Sequence, residues 1–200
     1  MKNKREYFEQ LAHDWDREHH GAEEIEKTRR FARTFFRLHE GEIVLDAGCG
    51  TGRLIPHLRE RIRDSGRVVE LDLSIEMLRI GKNRYQDQRI LFIQGDGQNI
   101  PLKDRSIDTV VCFAFFPHLA DNKKALTSFA RVLKPGGRII IAHQMNREEL
   151  NRFHANADGP VRDDILPDHG QMKMLLEEAG FANVRIREKS GLYLARAKAK

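Results

Sequence analysis

The stretch Val44-Leu45-Asp46-Ala47-Gly48-Cys49-Gly50-Thr51-Gly52 constrains this chain more than any other. Ile43 to Leu45 read as a short buried strand, with Asp46 at its end. Glycine then recurs at every second position, and Arg53-Leu54-Ile55 opens a helix. Residues without Cβ atoms permit a tight turn and let a ligand come close to the backbone. Strand, glycine turn and helix in this order are the first unit of a nucleotide-binding α/β sheet. The spacing restricts the nucleotide. Dinucleotide sites use G-x-G-x-x-G and aim a helix N-terminus at a pyrophosphate. Here the pattern is Gly48-x-Gly50-x-Gly52. The carboxylate of Asp46 repels phosphate and suits a cationic ligand.

The remaining chain alternates strand and helix. Arg5 to about Arg17 patterns as a helix with Tyr7, Phe8, Leu11 and Trp15 on one side, broken by His19-His20-Gly21. Ala22 to His39 reads as a second helix, and Arg53 to Arg63 as a third. Arg67 to Leu73 is a second strand, after which Ser74 can cap a helix carrying Met77, Leu78 and Ile80. Ile90 to Gln94 and Ile107 to Phe113 are further strands. A helix from Ala120 to Leu133 is stopped by Pro135-Gly136-Gly137, and Arg138 to Ala142 is a fifth strand. Short loops between alternating elements predict a parallel sheet with right-handed crossovers. After a helix at Gln171 to Ala179, two runs alternate with period two about Lys189-Ser190-Gly191 and read as a hairpin. One hairpin strand must then run antiparallel to the rest.

The Asp-x-Gly-x-Gly-x-Gly stretch resembles motif I of the class I S-adenosylmethionine (SAM) methyltransferases. SAM carries an ammonium, a sulfonium and no phosphate. The resemblance covers about residues 40 to 145 by motif and the remainder by topology. It implies an α/β, Rossmann-like, doubly wound, mostly parallel seven-stranded sheet with a terminal antiparallel hairpin strand. It also implies the cofactor contacts. Asp46 and the Gly48, Gly50 and Gly52 turn would hold the methionyl end. Asp72, at the end of Val68-Val69-Glu70-Leu71-Asp72, would grip both ribose hydroxyls, since a carboxylate accepts two charge-assisted bonds in parallel. By position alone Asp72 would equally serve a dinucleotide ribose. Leu73 and Met77 would pack on the adenine. Asp96, beside Gly97 in Gln94-Gly95-Asp96-Gly97-Gln98-Asn99-Ile100-Pro101, would accept the adenine amino hydrogen. An Asx turn is the alternative use of that acid.

Strand four is followed by Ala114-Phe115-Phe116-Pro117-His118. The Asn- or Asp-Pro-Pro-aromatic box of DNA adenine methyltransferases is missing, which disfavours base methylation. An aromatic wall suits a small or partly apolar acceptor. His118 and His143 follow strands four and five, at the carboxyl edge where such sheets bind ligands. Either can take a proton from an acceptor, and His154 is a third catalytic candidate. His143, Arg147, Asn151 and His154 are spaced by four, four and three. A helix starting near Asn146 would put Arg147, Asn151 and His154 on one face, toward the cleft, with Arg147 and Asn151 as substrate contacts. Alternatively the trio pairs with Asp163, Asp164 and backbone carbonyls to brace a lid. His143, His154, Asp163 and His169 match no compact metal spacing, so no metal is expected.

Two hundred residues suit one domain. Within it, residues 1–40 are expected as N-terminal cap helices and residues 144–168 as a lid. The net charge of +5 raises nucleic acid as a partner, but much of the excess lies in a terminal basic stretch from Arg185 to Lys200, read as a solvated hairpin face. No membrane-length apolar stretch and no apolar core near the N-terminus occur. Cys49 and Cys112 make no disulfide framework. A cytoplasmic SAM-dependent methyltransferase acting on a small-molecule acceptor, akin to quinone-biosynthesis C-methyltransferases, is the expectation. An NAD-dependent oxidoreductase and a noncatalytic SAM- or RNA-binding protein are its rivals. Nothing in the sequence specifies the acceptor atom or the oligomeric state.

Overall fold

Strand β1, Ile43–Ala47, lies inside the sheet, paired on both sides, and its Val44, Leu45 and Ala47 are apolar and buried. The computed structural model describes residues 4–19 and 21–200. Its other strands are β2 Arg67–Asp72, β3 Ile90–Gln94, β4 Ile107–Phe113, β5 Leu133–His143, β6 Phe181–Lys189 and β7 Leu192–Ala199. They pair in the order β3-β2-β1-β4-β5-β7-β6. All neighbours from β3 to β5 are parallel, and β7 is antiparallel to both β5 and β6. The expected seven-stranded architecture is therefore present.

Successive strand residues point to opposite faces, so the sheet carries two apolar layers. Leu45, Leu71, Val110, Cys112, Ile139 and Ile141 share one layer with Phe129 and Met172. Those last two belong to helices α5, Asn122–Val132, and α7, His169–Glu178. Val44, Val68, Val111 and Ile140 form the other layer with Phe31 and Leu58. These come from α2, Ala22–Phe35, and α3, Ile55–Ile62. The remaining helices are α1 Lys4–His19, α4 Ile75–Arg84 and α6 Arg147–Ala155. None of the helices in the described residues is long and apolar enough to cross a membrane.

Several boundaries differ from the sequence reading. α1 continues through His19; the expected break at His20 lies outside the described residues. α2 ends at Phe35 rather than His39 because Phe36 turns into the core and Arg37 takes a positive φ of 49°. α5 starts two residues late, where Asp121 accepts from the Lys124 amide. Pro135-Gly136-Gly137 does not separate helix from strand. β5 already begins at Leu133, and its register against β4 shifts between Ile107↔Leu133 and Thr109↔Arg138. The extra residues are absorbed as a bulge, held where the Lys134 ammonium donates to Asp108 at 2.7 Å.

Strand order reverses between β1 and β4, and the crevice past their carboxyl ends is where such sheets bind ligands. α1 crosses this edge. Near its start, Lys4 donates to the His118 carbonyl and to Asp164; near its end, Asp16 accepts from Thr51 Oγ1 and from Arg84.

Beneath the edge, Asp46 and Glu70 face each other in register, both buried. Neither Glu70 oxygen, nor Asp46 Oδ2, has a hydrogen-bond partner among the described residues. Burial, followed by the mutual repulsion of these acids, raises the Glu70 carboxyl well above its ordinary range. A folded carboxyl that holds its proton longer than the unfolded one destabilises the fold as pH rises past the unfolded value. Glu70→Met should therefore raise the melting temperature at pH 8 by roughly 4–8 °C, about 2 kcal/mol, and much less at pH 4. Thermal melts of both proteins across that range check this; an equal shift at both pH values would mean that charge is not the cause.

Candidate functional site

Two cavities open at the carboxyl edge. The smaller, about 380 Å³, lies beyond β2 and β3 and is lined by Gly48, Asp72, Leu73, Asp96, Gly97 and Phe115, among others. Gly48 has φ of 71°, and a Cβ there would fall 2.1 Å from the Phe115 ring. Only glycine lets this turn pass so close under an aromatic side chain. Asp72 is anchored from behind. Its Oδ2 accepts from the Gly50 amide at 2.8 Å, and its Oδ1 accepts from the Ser74 amide at 2.9 Å. Burial raises the Asp72 carboxyl, and these backbone bonds oppose the rise. Each oxygen keeps a second lone-pair direction. Asp96 closes an Asx turn, accepting from the Gln98 amide at 2.9 Å and from Gln98 Nε2 at 3.0 Å.

The larger cavity, about 480 Å³, lies between α1, the tips of β4 and β5, and α6. Tyr7, Phe8 and Trp15 line it from α1, Phe113 and His143 from the strand ends, and Leu150, Phe153 and His154 from α6. His118 belongs to both cavities. Its Nδ1 lies 2.6 Å from Asp164 Oδ2, and the other Asp164 oxygen takes the Lys4 ammonium. Burial raises the Asp164 carboxyl, but His118 and Lys4 together hold it below its ordinary value. With Nδ1–H donating to that carboxylate, Nε2 of His118 is the basic nitrogen. His154 Nδ1 sits 2.8 Å from the Asp164 carbonyl, and its ring centre is 5.1 Å from that of His118. His143 is buried, its Nε2 has no partner among the described residues, and burial pushes its pKa down to about 3. It is a neutral imidazole at any physiological pH.

His118, His143 and His154 thus converge, as do Asp72, Leu73, Asp96, Gly97 and Gly48. Asp46, Gly50, Gly52 and Met77 line neither cavity. Gly50 serves through its amide on Asp72, and Met77 is core. Asp46 lies below the surface, its carboxyl pushed up to about 7 by burial, with Arg53 opposing and Asp72 adding to the shift.

The polar stripe on α6 divides. Arg147 and Asn151 do not reach the large cavity. The Arg147 amide donates to Glu188 at 2.8 Å. Asn151 clasps the backbone of Leu166, donating to its carbonyl at 3.2 Å and accepting from its amide at 2.8 Å. The 156–168 segment supplies this partner, so the Asn151 amide is spent on bracing that segment. Asn151→Ala should lower stability by about 1–3 kcal/mol, by stranding two backbone groups, and leave nucleoside affinity unchanged. Denaturant unfolding and calorimetry on the same variant check it.

Sequence reasoning missed Phe115 over Gly48, Asp164 as the carboxylate that orients His118, and Arg53. The Arg53 guanidinium lines the large cavity, 4.9 Å over the Phe113 ring. Its position next to Gly52 was the available signal.

The small cavity bears two carboxylates, and its cation among the described residues, Lys4, is already paired. This donor set fits a neutral or cationic nucleoside and does not fit a polyphosphate.

Comparison with known proteins agrees. Residues 45–141 match the model of a family described as "Methyltransferase domain". The chain is 29% identical over 189 residues to a ubiquinone/menaquinone biosynthesis C-methyltransferase, UbiE, of Cronobacter sakazakii, covering 82% of this chain and 75% of that enzyme. It is 34% identical over 108 residues to UbiE of Idiomarina loihiensis, where the match spans 52% of this chain and 43% of the relative's length. A crystal structure of a SAM-dependent methyltransferase from Aquifex aeolicus superposes with a TM-score of 0.69 at 25% identity, covering 88% of this chain and 89% of that one. A Thermotoga maritima structure, described as a possible histamine N-methyltransferase, superposes with a TM-score of 0.77 at 20% identity, covering 99% and 100% of the two chains.

Proposed function

Since the chain belongs to the class I SAM-dependent methyltransferases, we propose that it methylates a small, largely apolar acceptor seated in the histidine-lined cavity. The oxidoreductase alternative falls with that membership. SAM, when bound, supplies a methyl group activated by its sulfonium. Asp72 and Asp96 would hold its ribose and adenine, with Leu73 and Phe115 as apolar walls. Asp46, at the methionyl end, acts from below the turn.

The observation that carries the reading is His118, common to both cavities and held at 2.6 Å by Asp164. An acceptor hydroxyl or activated ring carbon loses a proton as it gains a methyl group. His118 Nε2 takes that proton, and Asp164 stabilises the resulting imidazolium. His143, neutral and unpartnered, offers the acceptor a hydrogen bond without adding charge. Tyr7, Phe8 and Trp15 exclude water, which in-line displacement from a sulfonium requires. Helices α1 and α2 would serve as the cap, and residues 144–168 as the lid, of one domain. The ubiquinone/menaquinone biosynthesis C-methyltransferase names of the UbiE relatives support a quinone precursor as the acceptor, methylated at carbon.

The test is a panel of phenols, quinols, amines and an RNA mixture assayed for methyl incorporation from labelled SAM. Transfer to a phenol or quinol supports the reading. Transfer confined to RNA overturns it.

A further inference from the structure

Several arginines of this protein are matched to acids, while others, such as Arg185, Arg187 and Arg196 on the terminal hairpin, stand without one among the described residues. Arg29 meets Glu60, Arg59 meets Asp87, Arg84 meets Asp16, Arg131 meets Asp104 and Arg138 meets Glu42. Arg53 is different. It is half-buried in the wall of the 480 Å³ cavity and makes neither a hydrogen bond nor an ion pair with the described residues. Phe113 covers one face of its guanidinium, which leaves the edge with its N–H groups for a partner. Burial lowers its pKa, while Glu24 and Asp46 oppose that effect from a distance. A half-buried guanidinium facing a cavity gains when a ligand anion replaces the water on its N–H edge.

The surroundings select the anion. Glu24 and Asp46 already offset part of the charge, so a dianion such as phosphate meets an acidic background. A monoanionic, planar carboxylate meets the guanidinium fork in two parallel bonds and adds only one negative charge. Lys27, on the same cavity, is held by Glu24 at 3.4 Å and leaves the position to Arg53.

We infer that Arg53 is the carboxylate receptor of the large cavity, forming a two-point pair with a carboxylate that a ligand carries into it. The inference rests on the methyltransferase reading for where that carboxylate comes from. It belongs either to the amino-acid end of the cofactor or to the acceptor.

Calorimetry separates the sources. The probes are S-adenosylhomocysteine, its decarboxylated analogue and 5′-methylthioadenosine, titrated into the wild type and into Arg53→Met. If the carboxylate is the cofactor's, the wild type prefers S-adenosylhomocysteine to the decarboxylated analogue by at least tenfold. Arg53→Met erases that preference and leaves 5′-methylthioadenosine binding unchanged. If it is the acceptor's, all three nucleosides bind both proteins alike. The wild type saturated with S-adenosylhomocysteine then binds benzoate over benzamide, and the variant does not. Arg53→Lys, which keeps charge but loses the fork, should retain only part of either preference, and it decides the matter if the methionine variant does not fold. Equal binding of every probe by wild type and variants overturns the inference. Failure of all three nucleosides to bind the wild type overturns the cofactor assignment instead, and the benzoate pair alone then decides for Arg53.

Discussion

His118→Ala should slow methyl transfer by about 10²–10³-fold while SAM affinity changes little. The ribose and adenine contacts are proposed for Asp72 and Asp96, whose carboxylates are anchored by backbone amides and not by the imidazole. Asp164→Asn tests how the base is set. The carboxylate accepts the Nδ1 proton and so leaves Nε2 basic. A carboxamide can donate to Nδ1 instead, which would leave the proton on Nε2 and the base blocked. This variant should lose most of the rate although His118 is still present. Its melting temperature should also fall, because Lys4 loses a charged partner. Single-turnover rates, set beside SAM affinities on the same preparations, check both. A His118→Ala enzyme with full activity would remove the imidazole from the chemistry.

Asp72→Ala should weaken SAM by roughly 2–3 kcal/mol, tens- to a hundredfold, through loss of two charge-assisted bonds. The structure adds a second cost. The same carboxylate holds the Gly50 and Ser74 amides, so alanine leaves both without a side-chain acceptor and lowers stability as well. Asp72→Asn separates the effects. Its carbonyl oxygen can keep one amide while its NH2 faces the other donor, so stability should return only in part while affinity does not. Calorimetry with SAM and thermal melts of the two variants give the comparison. Undiminished affinity in a folded Asp72→Ala would put the ribose elsewhere.

What was legible in the sequence was whatever local periodicity and turn chemistry determine. The strands β3 and β4 fall on the expected residues, and the glycine turn follows β1 as read. Ser74 caps α4, accepting from the Met77 amide. The hidden parts depend on residues far apart in the chain. Lys4 meets Asp164 across 160 positions, and His118 meets it across 46. No window of sequence contains such a pair. Helical spacing put Arg147, Asn151 and His154 on one side of α6, and that spacing is real. The side was split in three dimensions because the 156–168 segment folds back and takes Asn151 by its Leu166 backbone, leaving His154 alone to face the cavity. Pro135-Gly136-Gly137 misled for a related reason. Glycine marks a bulge inside a paired strand as readily as it marks a break, and only the partner strand β4 decides which.

The division of labour between the two cavities is tested most directly by a crystal structure with S-adenosylhomocysteine. The account predicts the ribose hydroxyls on Asp72, the adenine beside Asp96 and Gly97, and the sulfur facing the histidine-lined cavity next to His118. Adenosine density inside the cavity of Tyr7, Trp15 and His143, with the Asp72 side vacant, would contradict it.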